Sequence, residues 1–246
     1  NVIVEGVVTY VDGANYYIQD ETAAIVVRSL DVEAEIGDKL KAAGATSDYY
    51  GLLQIVTEDV EVTEEGVPVP APKPLNSTAI HEEVESQLVV LENVTINDVN
   101  EFNEFSAEDL HGNLVIASDE GLVEVGEVYE SIIGVVTYSF GEYKVIPRFE
   151  ADVKELVFID GPLEDINFLE LVMKIIKYAD IYGIEFVLDQ LFEDLLKVVK
   201  TKGNTNQHVK SAIHHMEKSL TKIQSGKGNS VVETLKMVHE LSKLNR

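Results

Sequence analysis

The stretch Val7-Val8-Thr9-Tyr10-Val11-Asp12-Gly13-Ala14-Asn15-Tyr16-Tyr17-Ile18-Gln19-Asp20 decides the fold class. Two runs of β-branched and aromatic residues flank an Asp-Gly-Ala-Asn turn, the composition of a β-hairpin. Working outward, the first arm extends back to Val2 and the second ends at Asp20. A third strand is expected over Ala24 to Arg28. Gly37-Asp38 opens a fourth from Lys39 to Thr46, and Leu52 to Val62 closes the set. Five short strands in about 65 residues are the arithmetic of a small Greek-key barrel, the OB-fold.

The same texture returns further along. Strands are expected over Gln87 to Val99, Phe102 to Ala107, Leu114 to Ala117, Tyr129 to Tyr138 and Tyr143 to Pro147. Gly37-Asp38, Gly44 and Gly51 in the first set match Gly126-Glu127, Gly134 and Gly141 in the second, and each set ends in an aromatic-flanked turn, Tyr49-Tyr50-Gly51 or Ser139-Phe140-Gly141. Between them lies Gly-Val-Pro-Val-Pro-Ala-Pro-Lys-Pro, residues 66 to 74, with proline at every second position, expected to be an extended spacer.

After Val157 the apolar period changes from 2 to 3.6, and Asp160-Gly161-Pro162 offers a helix start. The expected inward stripes are Ile166, Leu169, Val172, Met173 and Ile176, then Leu188, Leu191, Leu195 and Val199. A third runs Val209, Ala212, Ile213, Met216, Leu220 and Ile223, and a fourth Val231, Leu235, Val238 and Leu241. Gly183, Gly203 and Ser225-Gly226-Lys227-Gly228 separate them. The predicted architecture is all-β then all-α: an OB-fold barrel over 1–65, a proline-rich linker over 66–78, a second OB-fold barrel over 79–156 and a four-helix bundle over 157–246.

Charge narrows the function. Residues 1 to 157 hold 7 Lys and Arg against 32 Asp and Glu, which is the whole net charge of −25, whereas the rest of the 246 residues are balanced. The balance hides a dipole, with 2 basic against 9 acidic residues over 158–194 and 10 against 3 over 195–246. There is no cysteine, so neither disulfides nor thiolate metal sites are available. No run of 18 apolar residues is present, so no membrane helix is expected. The chain opens on Asn1, and reads as a mature form after leader removal or as a piece of a longer protein.

Certain residues resemble a known family. Val4-Glu5-Gly6-Val7-Val8-Thr9, Tyr17-Ile18-Gln19-Asp20-Glu21-Thr22, Gly37-Asp38 and Tyr50-Gly51-Leu52-Leu53-Gln54-Ile55 resemble the OB-fold modules of large secreted Gram-positive nucleases of the YhcR type. Leu91-Glu92-Asn93-Val94 and Gly134-Val135-Val136-Thr137-Tyr138-Ser139-Phe140-Gly141-Glu142-Tyr143 look like the companion module, so that the resemblance covers residues 1–155. Gln190-Leu191 and Ala212-Ile213-His214-His215-Met216-Glu217-Lys218 are similar to the helical FIMAH module of secreted Bacillales proteins. The resemblance implies an extracellular or cell-surface location in a Gram-positive bacterium, and no nuclease domain, since the family's catalytic domains lie outside these barrels.

Candidate binding residues follow from the barrel reading, in which strands two and three and the adjoining loops carry ligand. They are Tyr16, Tyr17, Gln19, Arg28, Tyr49 and Tyr50 in the first set, and Phe102, Tyr138, Phe140 and Tyr143 in the second, with Phe105 a further aromatic. No cofactor is expected, with calcium the one possible ion, at Asp12, Asp20, Asp109 and Asp119. Glu108-Asp109 and Asp119-Glu120 are the paired carboxylates to weigh for acid/base work. His208 and His215, seven apart, share a helix flank that could hold a metal. No HExxH, nucleophile elbow or phosphate loop is present, and no enzyme is expected.

Polyanion binding draws its free energy from cations that release condensed counterions, and these barrels have few. The expected partner is therefore a protein or a surface or matrix component, with nucleic acid disfavoured. The alternatives are a self-assembling secreted subunit, in which basic helices meet acidic barrels of a neighbour, and a single-stranded nucleic-acid-binding accessory part of a secreted nuclease.

Overall fold

The computed structural model describes residues 2–118, 121–202, 207–225 and 230–243. They form two units, Asn1–Leu156 and Val157–Arg246, each with its own interior.

In the first unit one sheet holds β1 (Val2–Asp12), β2 (Asn15–Gln19), β3 (Ala24–Arg28), β4 (Lys39–Tyr49), β5 (Leu52–Val56) and β6 (Val60–Glu64). Its order is β1-β2-β3-β5-β4-β6, and a further β1–β4 pairing closes the first five strands into a barrel. The β3–β5 contact is parallel and its neighbours are antiparallel. A second sheet holds β7 (Lys73–Pro74), β8 (Leu88–Val99), β9 (Glu104–Glu108), β10 (Asn113–Ala117), β11 (Val128–Ser139), β12 (Glu142–Pro147) and β13 (Val153–Glu155). There the β11–β8 pairing joins the ends of the run β8-β9-β10-β12-β11, again with one parallel contact, β10–β12.

The glycine pattern of the two sets has a steric cause. A Cβ on Gly44 of β4 would lie 2.8 Å from Ile55 Cγ2, and one on Gly134 of β11 would lie 2.5 Å from the Ile146 carbonyl oxygen. Both strands cross their neighbours too closely for a side chain. Ahead of each, a loop bonds back to the first strand in the same way. Gly37 N–H donates to Val8 O (2.9 Å) and Val8 N–H to Asp38 O (2.8 Å), while Gly126 N–H donates to Ile96 O (2.8 Å) and Ile96 N–H to Glu127 O (3.0 Å).

Each sheet buries alternate residues, as the two-residue period of a strand requires. Val8, Tyr16, Ile18, Val27, Leu40 and Ala42 fill the first, and a larger set from Val89 and Leu91 to Val145 fills the second. The proline-rich segment is a strap on the sheets, which corrects the expectation of a spacer. Val67 N–H donates to Gly37 O, Lys73–Pro74 pairs in parallel with β8, and Leu75 N–H donates to Val90 O. Prolines at alternate positions leave the intervening N–H groups free to pair. The expected strand Leu52–Val62 is broken at Thr57, whose side chain takes Asp59 N–H, and β6 pairs with β4 instead of β5.

The second unit has helices α1 (Phe168–Tyr182), α2 (Ile184–Lys202), α3 (Gln207–Gln224) and α4 (Ser230–Ser242). Asp160-Gly161-Pro162 leads only into a single 3-10 turn, and the N-cap of α1 is Asn167, whose Oδ1 accepts Glu170 N–H. The apolar face of α1 also differs from the expected stripe. Leu171, Ile175 and Tyr178 are buried, whereas Leu169, Met173 and Ile176 are exposed. The helix carries two apolar stripes, and periodicity cannot say which one faces in. On α2, Leu188, Leu191 and Leu195 are buried as the pattern predicts. Gly203 lies outside the described residues.

Asp194, buried on α2, caps the chain entering the bundle by accepting Phe158 N–H (2.6 Å) and Ile159 N–H (3.2 Å), and burial pushes its carboxyl pKa up against those bonds. Across α3 and α4, Glu233 takes Lys222 Nζ, His215 Nδ1 and Lys236 Nζ, which hold its pKa at about 2. Glu240 is likewise held at about 2 by Lys243 and His208.

Two outcomes follow. Gly134→Ala, which forces a methyl into the β12 backbone, should lower unfolding free energy by about 2–3 kcal/mol, whereas Gly112→Ala, whose Cβ would meet only Ser77 Oγ at 3.3 Å, should cost under about 1 kcal/mol. Urea denaturation of both variants checks the contrast. Because Glu233 and Glu240 have depressed pKa values, the stability they confer is present above the unfolded carboxylate range and is lost as pH falls toward about 2. Helical circular dichroism of the double Gln variant should therefore show a flatter acid-unfolding profile than the parent.

Candidate functional site

The site begins with a strand rule. Tyr16 and Tyr17 are adjacent on β2, so their rings leave on opposite faces. Tyr16 enters the first barrel, is 6% exposed and donates its hydroxyl to Val32 O at 2.7 Å. That corrects its assignment to a ligand surface. Tyr17 goes outward onto the second sheet, where it packs with Val26, Leu88 and Val135. Its hydroxyl meets Thr137 Oγ1 at 3.0 Å, and burial raises its pKa.

Polar ties complete this seam. Gln19 Oε1 accepts Leu88 N–H (2.8 Å), so Gln19 is a bolt between the sheets and not a ligand contact. Arg148 donates to Thr9 O (3.2 Å) while its other nitrogens hold Asp152 in a two-point ion pair. Glu85 accepts Leu53 N–H (2.9 Å), and burial pushes its carboxyl pKa up. Of these residues the sequence singled out only Gln19, and as a ligand contact; Arg148, Asp152 and Glu85 carried no signal there.

The seam opens at one end into a cleft of about 950 Å³. Of the ten predicted binding residues, Tyr17, Arg28, Tyr49, Tyr50, Phe102, Tyr138 and Phe140 line it, while Tyr16, Gln19 and Tyr143 do not. Tyr143 faces a separate groove with Ser77 and Asn113, its ring 4.7 Å from that of Tyr138. Besides strand residues, four connections contribute to the cleft: Asp12 and Asn15 flank the β1–β2 turn, Tyr49 and Tyr50 the β4–β5 turn, Phe102 lies between β8 and β9, and Phe140 between β11 and β12. These are corresponding first-to-second and fourth-to-fifth strand loops of both sheets.

Four rings stand out at this mouth, with exposures of 60% for Tyr49, 82% for Tyr50, 73% for Phe102 and 96% for Phe140. Two of them sit in strained backbone. Tyr50-Gly51 and Phe140-Gly141 are two-residue hairpin turns with positive φ at both positions, 53° and 98° in the first and 53° and 88° in the second. Such turns favour Asn-Gly, and a bulky first residue costs roughly 1–2 kcal/mol. Phe102 is presented by a loop in which Asn100 Oδ1 accepts Phe102 N–H (2.9 Å) and Glu104 N–H (3.1 Å), so the expected strand from Phe102 starts only at Glu104. Gly51 also packs flat on the Tyr138 ring, where a Cβ would stand 2.2 Å from Cε1. Phe105 is core.

The lining has little positive charge to offer. Lys144 is 2% exposed, forms an ion pair with Glu104 and lies 5.5 Å from the Phe140 ring centre. Hydrogen bonds from Lys144 and Asn100 lower the Glu104 pKa. Arg28 donates to Asn15 Oδ1 (3.0 Å), and Asp12 stands on the rim.

The other predicted groups are engaged elsewhere. Asp20 Oδ1 accepts the Thr22 hydroxyl and the Thr22 and Ala23 N–H groups, which lower its pKa. Burial raises the Asp109 pKa, but bonds from Ser77, His111 and Gly112 outweigh it and hold the carboxyl below its usual range. Its oxygens close a loop, which leaves them poorly placed for calcium or for acid/base work beside Glu108. Asp119 and Glu120 lie outside the described residues. His208 and His215 each face a different glutamate of α4, 3.0 and 2.9 Å away, so they do not converge. Among the described residues no group of three or more His, Asp or Glu forms a metal cluster, and no helix is long and apolar enough to cross a membrane.

No family model and no curated protein matches this sequence. Among solved structures, the chain is similar to a murine DNA-binding protein bound with double-stranded DNA, at 12% identity, covering 63% of this chain and 99% of that one with a TM-score of 0.34. A multidomain protein with nucleic-acid-binding domains from Streptococcus pneumoniae matches at 10% identity over 61% and 46% of the two chains, TM-score 0.20. The single-stranded DNA-binding protein from Thermus aquaticus, in a deletion-mutant form, matches at 13% identity over 65% and 95%, TM-score 0.22. At TM-scores this low the likenesses leave the ligand unassigned.

The strained turns give a test of purpose. Tyr50→Asn and Phe140→Asn place a residue that tolerates positive φ at each tip, and should each raise unfolding free energy by roughly 0.5–1 kcal/mol in urea titrations. A loss of stability would mean that the rings serve folding.

Proposed function

We propose that residues 2–156 are a tandem OB-fold module that binds without catalysing, and that its ligand is a short single-stranded stretch of nucleic acid whose bases stack across the inter-barrel cleft. One observation carries this reading: the first-to-second and fourth-to-fifth strand loops of both barrels converge on one mouth with four exposed ring faces. OB-folds present ligand surfaces at those loops, and base stacking on aromatic rings is sequence-tolerant and worth about 1–3 kcal/mol per base. Aromatic side chains in positive-φ turns support the same reading, because backbone strain that no core contact repays is a mark of functional residues.

Electrostatics shapes how such a ligand is held. Phosphate binding requires cations, and of the two at the cleft Lys144 is already committed to Glu104. Affinity then rests on stacking, with Arg28 meeting about one phosphate, so the logarithm of affinity should change with that of salt concentration by a slope shallower than about −1. A second reading, a neutral glycan, is favoured by the carboxylates Asp12 and Glu104 at the mouth. Such a chain offers apolar sugar faces to the rings and hydroxyls to the acids, and meets no repulsion from a protein of net charge −25.

The extracellular setting rests on the resemblance of residues 1–155 to modules of secreted nucleases, in which the barrels would serve as an accessory that presents strands to catalytic domains elsewhere. The helices would space or dock the barrels.

Fluorescence anisotropy with a short single-stranded oligonucleotide, across a salt series, tests the proposal. Binding should weaken about 10- to 100-fold in the Tyr50→Ala, Phe140→Ala double variant, with the labelled strand left intact. A steep loss of affinity with salt, indifference to the double variant, or cleavage of the strand would each overturn it. Ring-dependent binding of a neutral oligosaccharide alone would establish the second reading.

A further inference from the structure

The helical unit carries a surface that the cleft does not account for. Helix α1 turns Leu171, Ile175 and Tyr178 inward, yet Leu169, Met173 and Ile176 form a second stripe with exposures of 70%, 59% and 59%. Their spacing of four and three residues stacks them along one face of the helix. Contiguous apolar side chains on an otherwise strongly charged chain mark an interaction surface.

The charges beside the stripe identify what fits it. Glu170 and Lys177 are both exposed, and being seven apart on a helix of 3.6 residues per turn they lie along the same flank. If two such helices pack antiparallel about a twofold axis near Met173, like flanks meet. Glu170 then comes opposite the partner's Lys177, and Lys177 opposite the partner's Glu170. Leu169 faces the partner's Ile176, and Met173 faces its own copy. A stripe whose charges are complementary to themselves under a twofold rotation is the signature of an isologous contact.

We infer that α1 is a homodimerisation surface and that its partner is α1 of a second copy of this chain. The inference is independent of what the barrels bind. Three side chains cover far less than the about 800 Å² per partner of a standard interface, so the dimer is weak and depends on concentration. Its consequence for binding is that two clefts become linked, which favours long ligands with repeated units over short ones.

Sedimentation equilibrium of the full chain over a range of concentrations tests this. The parent should show a monomer–dimer equilibrium, and Met173→Glu should be monomeric throughout while keeping its circular dichroism, since the side chain is exposed. Glu170→Lys and Lys177→Glu singly should weaken the dimer about fivefold or more, by placing like charges opposite each other twice, and the double charge swap should restore it. A parent that stays monomeric, a dimer insensitive to Met173→Glu, or a double swap no better than the singles would overturn the assignment. A monomeric parent that loses stability on Met173→Glu would show that the stripe is covered from within the chain.

Discussion

The face of β2 that carries Tyr17 governs how the β unit is organised. A strand in an isolated small barrel has one buried side and one wet side, but β2 is buried on both, because Tyr17, Val26, Leu88 and Val135 close a second apolar layer between the two sheets. Burying a Tyr ring of this kind is worth about 2–3 kcal/mol. Its hydroxyl cannot be left unpaired there, and Thr137 meets it. The directional ties from Gln19, Arg148 and Glu85 then remove the freedom to slide that an apolar layer alone would leave. Loops that would otherwise point in unrelated directions are thereby aimed at one cleft.

This arrangement explains an apparent excess of acid. A protein that gripped a polyanion through its charges would need a basic groove, and here the cleft's lysine is paired with Glu104 and the lining adds the carboxylate of Asp12. What remains is ring area held on stiff hairpins. Stacking is short-ranged and indifferent to the distant field of the protein once the ligand is seated.

The helical unit follows another logic. Two ion-pair knots tie α3 to α4: Glu233 meets Lys222 and Lys236 and bonds to His215, and Glu240 meets Lys243 and bonds to His208.

Strand identities, the repeat of Gly44 and Gly134, and the two aromatic turns were legible in the sequence because each depends on neighbours in the chain or on a period of two. Tyr49, Tyr50, Phe102 and Phe140 stand at the cleft for that reason. The failures share one cause. Tyr16 and Tyr17 are chemically alike and adjacent, and only the packing of one sheet on the other decides that the first is core and the second seam. Gln19 is drawn from the cleft by the same packing, Tyr143 faces a groove of the second sheet's own residues, the proline run is a strap because β8 is there to receive it, and α1 has two apolar stripes between which only its neighbours choose. The sequence by itself determined which segments are strands or helices and where the turns place their rings, since those are local. Tertiary structure alone decided which faces meet, because that depends on contacts between residues more than a hundred positions apart, such as Tyr17 and Thr137.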